Sequence, residues 1–235
     1  MFARKRSASS ETPRTLAPGT VTRLVAQQHD AERVSVYLDD AFAFGVHRDL
    51  VLEHGLRKGL MLDVAAQDAL VAADRRLRAR STALGFLAHR ARTRREVADR
   101  LRRDDHPDDV IDEVLVWLDE RSLLDDAAYA KQYAESRQRS QGYGPARVRQ
   151  ELARRGVAKA DAEEAVSETF DPDDVAAMAR EQAEKRLPQV LREPDRQKRR
   201  RKLFDFLVRR GFPYDVAGET TEAVLREADA ADSED

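Results

Sequence analysis

With 235 residues, 42 of them basic and 44 acidic, the chain carries a net charge of −2, so bulk charge alone predicts no nucleic-acid partner. Charged residues reach 37%, hydrophobic residues 41% and aromatics 6%, a composition of thin amphipathic helices rather than one thick core. The absence of cysteine excludes disulfides, thiolate zinc sites and a cysteine nucleophile, and no apolar run nears the ~20 residues that cross a bilayer.

Residues 1–18 are rich in Ser, Thr, Pro, Arg and Ala and have little to bury, so they read as a disordered tail. Arg4-Lys5-Arg6 has no apolar stretch behind it, so no secretory signal is expected and the expected location is the cytoplasm. Residues 19–62 read as a small β unit. Val34, Val36 and Leu38 alternate with polar neighbours, as do Phe42, Phe44 and Val46 with small ones, the period of half-buried strands. Asp39-Asp40 between them has hairpin length without the usual glycine. Val21 to Gln27 supplies a third strand, Arg48 to His54 a short helix stopping at Gly55, and Leu56 to Leu62 returns.

From Asp63 onward every segment reads helical. A first helix from Val64 runs to about Arg90, weakened at Gly85. Thr93 and Glu96 form a capping-box pattern. His106-Pro107-Asp108-Asp109 starts a helix whose buried stripe is Val110, Ile111, Val114, Leu115 and Leu118. Asp125-Asp126 caps another, with Tyr129, Ala130 and Tyr133 on one face. Gly144-Pro145 opens the next and Gly156 ends it; Asp161 to Glu168 follows. Asp171-Pro172 opens a helix to about Arg186, and Pro188 and Pro194 bracket a loop. A helix from Arg196 to Arg210 stops at Gly211, and residues 214–226 form the last, weakened by Gly218. The acidic end, Glu222 to Asp235 with an acidic tail from 227, reads as a flexible polyanion that competes with nucleic acid for basic residues.

One pattern recurs. Val97 and Leu101, Val148 and Leu152, and Leu203 and Leu207 are apolar pairs four apart, each followed by arginines; Val97, Val148 and Leu203 stand 51 and 55 residues apart. A unit of that size implies tandem helical modules, here 63–124, 125–170 and 171–226, stacked in an elongated array. At about 100° per residue, Arg147 and Arg154 project away from their apolar pair, and Lys202 and Arg209 match them in the next module. Lys198 and Arg201 lie nearby, and Arg103 matches in the first. A solvated helix face would carry the same charges. Two features favour an anionic partner: the positions recur, and the run Lys198 to Lys202 sits near a helix start, where the dipole disfavours cations. The stripe shows no aromatic stacking platform. No catalytic constellation is present: the five histidines lack metal-ligand spacing, no phosphate loop follows Gly142-Tyr143-Gly144, and capping explains Asp125-Asp126. The chain is not expected to be an enzyme or to need a cofactor.

Leu84-Gly85-Phe86-Leu87-Ala88-His89-Arg90-Ala91-Arg92-Thr93-Arg94-Arg95-Glu96-Val97 resembles the opening motif of the RecX family, bacterial modulators of the RecA recombinase. Leu123 to Ala130 resembles its second motif and Val148 to Val157 its third; residues 20–62 are similar to an N-terminal extension of some members. The resemblance covers about residues 20–225. It departs at Gly85, at Asp105-His106-Pro107, where a glycine is expected, and at the Pro188–Pro194 insertion. It implies three tandem three-helix modules, and a protein that binds the RecA filament and single-stranded DNA, directly or through RecA. It further implies damping of filament growth, ATPase, strand exchange and the coprotease activity that triggers the SOS response. A soluble monomer with no membrane contact is expected. A helical repeat protein acting on DNA directly and a structural helical scaffold are the alternatives.

Overall fold

The computed structural model describes residues 17–28 and 30–231. The tail read at 1–18 lies outside them except for its last two residues. The elements are β1 (Gly19–Gln27), β2 (Asp30–Leu38), β3 (Ala41–His47), α1 (Arg48–Glu53), β4 (Met61–Leu62), α2 (Val64–Leu87), α3 (Arg94–Arg103), α4 (Asp108–Asp119), α5 (Asp126–Gln141), α6 (Pro145–Arg154), α7 (Lys159–Thr169), α8 (Pro172–Val190), α9 (Arg196–Arg210) and α10 (Tyr214–Ala231). They form two compact units, one ending at Thr82 and the other beginning at Ala83. The border falls inside α2, later than the border at Asp63 that the sequence pattern implies.

The first unit is an antiparallel sheet in the order β3-β2-β1-β4. Its inner face buries Val21, Val36, Leu38, Phe44 and Val46, and Leu70 and Leu77 of α2 pack into the same cluster. Asp39 and Asp40 make the β2–β3 turn with φ of 46° and 66°. Aspartate tolerates this left-handed region better than most residues, and the Asp39 carboxylate accepts from the Thr20 backbone N–H at 3.0 Å. The turn thus holds without glycine. At the other end Asp74, nearly buried, accepts from Arg33 and from the His47 N–H at 2.8 Å, tying α2 to β2 and β3.

The second unit is helical throughout its described residues, with no strand after Leu62. Its three repeat helices, α3, α6 and α9, are joined end to start. The N–H groups of Gly144 and Ala146, at the start of α6, donate to the carbonyls of Arg210 and Gly211 at the end of α9, at 2.8 and 3.0 Å. The Thr93 hydroxyl, capping α3, donates to the Arg155 carbonyl at the end of α6, at 2.7 Å. Helix starts carry unsatisfied donors and helix ends unsatisfied acceptors, so each junction satisfies both and aligns opposite dipole ends. This explains why Gly144 caps α6 with no side-chain bond. It also explains the recurring glycine. Gly156 and Gly211 have φ of 83° and 91°. A Cβ on Gly211 would stand 2.3 Å from the Arg147 nitrogen, and one on Gly156 2.3 Å from Arg95 Cδ. α3 ends instead in Asp104 and Asp105, the latter at φ 61°, and no backbone hydrogen bond joins that end to another helix start among the described residues. The missing glycine of the first copy therefore has a physical reason.

Two expectations need correction. Pro188 lies inside α8, not in a loop. It removes the donor to the Glu184 carbonyl in the penultimate turn, and buried Val190 with partly buried Leu187 holds the last turn against the core and carries the helix through. α10 runs to Ala231, past the end expected at 226, because Val224 and Leu225 are buried and the acids beyond them find cationic partners. The apolar cores of the second and third modules form one cluster through Leu152, Val166, Ala179, Leu203 and Leu207.

Gly211→Ala should lower stability by about 2 kcal/mol or more, from left-handed strain plus the clash at Arg147. Gly218→Ala, inside α10 with open space around its Cβ, should raise it by about 0.5–1 kcal/mol. Thermal unfolding of the pair checks the junction; equal midpoints would remove it. Leu152→Asp, at a fully buried position, should unfold the shared core.

Candidate interaction surface

Guanidinium groups lie over aromatic rings along much of the helical unit. Arg92 covers Phe86 at 3.9 Å; Arg155 and Arg137 flank Tyr133 at 4.8 and 4.7 Å. Arg147 covers Tyr143 at 4.1 Å, Arg210 contacts Tyr143 and Phe206 at 5.8 and 5.0 Å, and Arg186 reaches Phe206 at 5.4 Å. Two carboxylates thread this seam. Glu96 pairs with Arg155 at 2.7 Å and Arg90 at 3.5 Å. Glu151 accepts from the Tyr133 hydroxyl at 2.6 Å and pairs with Arg147 at 3.3 Å and Arg137 at 3.5 Å. Burial works against the charge on Glu151, but Tyr133, Arg147 and Arg137 outweigh it and hold the carboxyl below the ordinary glutamate range. Burial lowers Arg92 and Arg210, and neighbouring arginines add to the effect, more than Glu96 at Arg92 and Tyr143 at Arg210 offset. Burial likewise opposes the charge on Arg155, yet Tyr133 and Glu96 raise its pKa. The seam thus gathers more cations than anions, on aromatic faces that the guanidinium groups already occupy.

The sequence-level reading missed this seam and its aromatic partners. A signal was there: Tyr133 and Arg137, Tyr143 and Arg147, and Phe206 and Arg210 each stand four residues apart. Arg147 belongs to it and not to an outward stripe. Besides Glu151 and Tyr143, it donates to the Arg209 carbonyl at 3.1 Å, packed at the α6–α9 junction. That position, next to Gly211, engages its guanidinium within the seam although 36% of the side chain stays exposed.

The other expected stripe residues divide. Arg103, Arg154, Lys198 and Arg209 are exposed, and none has a carboxylate partner among the described residues; Arg103 only donates to the Asp99 carbonyl on its own helix. Arg201 pairs with Asp205 at 3.7 Å and Lys202 with Glu193 at 2.6 Å. Lys202 first among several causes holds the Glu193 carboxyl below its ordinary range. The acidic end is also engaged. Glu227 pairs with Arg180 at 2.5 Å, Asp229 with Arg196 at 3.3 Å, and Glu222 with Arg200. The part of 227–235 that is described is therefore helical and ion-paired, not a flexible polyanion; 232–235 lie outside the described residues. These pairs also neutralise the cations that open α9. Asp126, read as half of a capping pair, accepts from the Arg94 backbone N–H at 2.9 Å and so caps α3, while Asp125 caps its own helix.

Little here supports bond-making chemistry. A groove of about 650 Å³ between α5 and α8 is lined by amides such as Gln138 and Gln182 and by Lys185 and Arg210, and its Ser140 hydroxyl donates to the Ser136 carbonyl. No cluster of three or more His, Asp or Glu able to hold a metal occurs among the described residues, and no helix there is long and apolar enough to cross a membrane.

Glu151→Gln removes the one anion shared by Arg137 and Arg147. Because the folded-state pKa is depressed, the carboxylate contributes stability above the ordinary glutamate range and loses it as pH falls through its own lower value. The variant should melt lower at neutral pH and show a shallower loss of stability on acidification. A pH series of thermal midpoints checks this; parallel curves for variant and parent would refute the role given to Glu151.

The comparisons with known proteins agree with this architecture. Four family descriptions match in chain order: the regulatory protein RecX N-terminal domain at 19–63, and the first, second and third RecX three-helix domains at 79–118, 125–166 and 173–219. The regulatory protein RecX of Geobacillus kaustophilus is 36% identical over 221 residues, covering 89% of this chain and 81% of the relative. That of Clostridium acetobutylicum is 29% identical over 210 residues, covering 88% and 97%. A crystal structure of regulatory protein RecX superposes with a TM-score of 0.69 at 28% identity, covering 87% of this chain and 99% of that one. RecX from Lactobacillus salivarius gives 0.57 at 27%, covering 67% and 99%. With its helical modules, its small sheet and these relatives in the same order, the chain belongs to the RecX family of regulatory proteins.

Proposed function

We propose that this chain regulates RecA by binding the RecA–single-stranded DNA filament and opposing its growth, ATPase, strand exchange and SOS coprotease activity. It acts in the cytoplasm as a monomeric binding protein, without catalysis or cofactor. Family membership supports the RecA partner. The observation that carries the contact surface is the set of exposed cations left without carboxylates: Arg103 on α3, Arg154 on α6, and Lys198 and Arg209 on α9. In a chain of near-zero net charge with many internal ion pairs, these four recurring positions on the repeat helices are open to an anionic partner. Their spread over all three repeat helices lets several weak contacts add in avidity. Arg201 and Lys202 serve this surface only after exchanging Asp205 and Glu193 for a partner's anions.

The test is RecA ATPase on single-stranded DNA, with and without the protein. The parent should inhibit. Arg103→Glu, Arg154→Glu, Lys198→Glu and Arg209→Glu combined should leave the fold nearly intact, since exposed substitutions usually cost within about 0.5 kcal/mol each. The variant should need about tenfold more protein to inhibit, with a weaker salt dependence. Inhibition at parental concentration and salt slope would sink the assignment of these four residues. No effect of the parent on RecA, with tight binding to naked duplex DNA, would favour a direct DNA-binding role instead.

A further inference from the structure

The outward face of the sheet in the first unit is unusual for a surface. In an antiparallel sheet that buries one face, the other face is normally polar. Here the cross-strand register sets Arg23, Tyr37 and Phe42 in one row, with Val25 and Ser35 in the next. Met61 pairs with Thr20 on the same side. Phe42 is 56% exposed, Met61 71% and Val25 44%, so among the described residues three of the unit's four large exposed apolar side chains share this face. The Phe42 ring meets Tyr37 edge-on at 5.9 Å, and the Arg23 guanidinium lies over the Tyr37 ring at 4.3 Å. The loop that follows α1 hydrogen-bonds to β1 through Gly59 and Leu60 at Val21, and brings exposed Arg57 and Lys58 alongside that strand. Arg23, Arg57 and Lys58 have no carboxylate partner among the described residues. Of the acids nearby, Glu32 serves Arg48, while the Asp39-Asp40 turn is seated on the start of β1: the Asp39 carboxylate accepts from the Thr20 N–H and the Asp40 N–H donates to the Thr22 hydroxyl, which leaves three cations against two carboxylates around the row.

We infer that this face is a docking platform for single-stranded nucleic acid, with a base stacked on Phe42 and the phosphates along Arg23, Arg57 and Lys58. The chemistry is that of unspecific single-strand binding: an exposed aromatic face for any base, and cations spaced beside it for the backbone. Arg23 serves both ends, since a guanidinium stacked on Tyr37 still presents its N–H groups to a phosphate. A rigid duplex buries its base faces, so a flat sheet with an aromatic row favours the single strand. The platform lies in a unit different from that of the four cations assigned to the filament, and it needs no RecA.

The experiment uses the full chain and a fluorescein-labelled thymidine oligonucleotide, with RecA absent, so its failure leaves the regulatory reading untouched. Phe42→Ala and Arg23→Ala should each weaken binding by about fivefold or more, the range of one lost stacking partner. Phe42→Trp should retain affinity, and its fluorescence should be quenched on adding the oligonucleotide, in a Trp117→Phe background. Circular dichroism of each variant should match the parent. Parental affinity in both alanine variants overturns the platform, as does binding without quenching of the introduced tryptophan, which would move the strand elsewhere. Loss of RecA binding in Phe42→Ala with unchanged oligonucleotide affinity overturns it in favour of a protein partner.

Discussion

The helical unit depends on one contact made twice: the start of a repeat helix seated on the end of the repeat helix from the next module. Amide donors of α6 meet carbonyls of α9, and the Thr93 cap of α3 meets the carbonyl of Arg155. Each exposed helix end would otherwise rely on water or side chains. The contact requires close backbone approach, and that requirement selects glycine at 144 and 211. It also makes the modules interdependent. The second and third modules share one apolar cluster, so the repeat is a sequence unit more clearly than it is a folding unit.

Arginine at the junctions follows from the same geometry. A residue at the junction of two repeat helices must satisfy backbone carbonyls, a carboxylate and a ring face together. Arg147 does all three, through the Arg209 carbonyl, Glu151 and Tyr143. A lysine offers one compact charge and no planar face, and could serve only one of them well. Arg210 repeats the arrangement with the carbonyls of Gln141 and Gly142 and the rings of Tyr143 and Phe206. With so few carboxylates in the seam, each one matters more than a surface ion pair would. Glu151 carries three partners in a half-buried setting, where leaving cations uncompensated costs more than in water.

The periodicity of apolar residues made most of the fold legible. Strand periodicity placed β1, β2 and β3, and cap and proline signals placed the starts of α3, α5, α6 and α8. Errors arose where tertiary contacts overrule local signals. Pro188 reads as a breaker, yet the buried faces of Leu187 and Val190 carry the helix through it. The acids after Arg226 read as a tail, yet their partners on α8 and α9 extend α10. The site was less legible than the fold, for a physical reason. Helical projection shows which direction a side chain leaves its own helix, but not whether a neighbouring helix waits there. Arg147 and Arg154 project alike, seven residues apart; the end of α9 lies in front of the first, while the second stays exposed.

The same distinction bears on how a nearly neutral chain can recognise an anion. What matters is not the number of cations but the number left without a carboxylate once the fold has formed. Between α8, α9 and α10 the acids cancel the most basic run of the sequence. Elsewhere the repeat leaves Arg103, Arg154 and Arg209 in the last turns of the three repeat helices, where carbonyl dipoles favour a cation and none of the three is in an ion pair among the described residues. Placing the free charges at helix ends stabilises the helices and keeps those charges in water, so holding them there costs folding little. A partner then gains the whole of the attraction, without first breaking an internal pair. Apart from Lys198, the basic run at the head of α9 is the reverse case: an anion that binds Arg196, Arg200 or Lys202 must displace Asp229, Glu222 or Glu193 first, which weakens binding and makes it selective for strongly charged ligands.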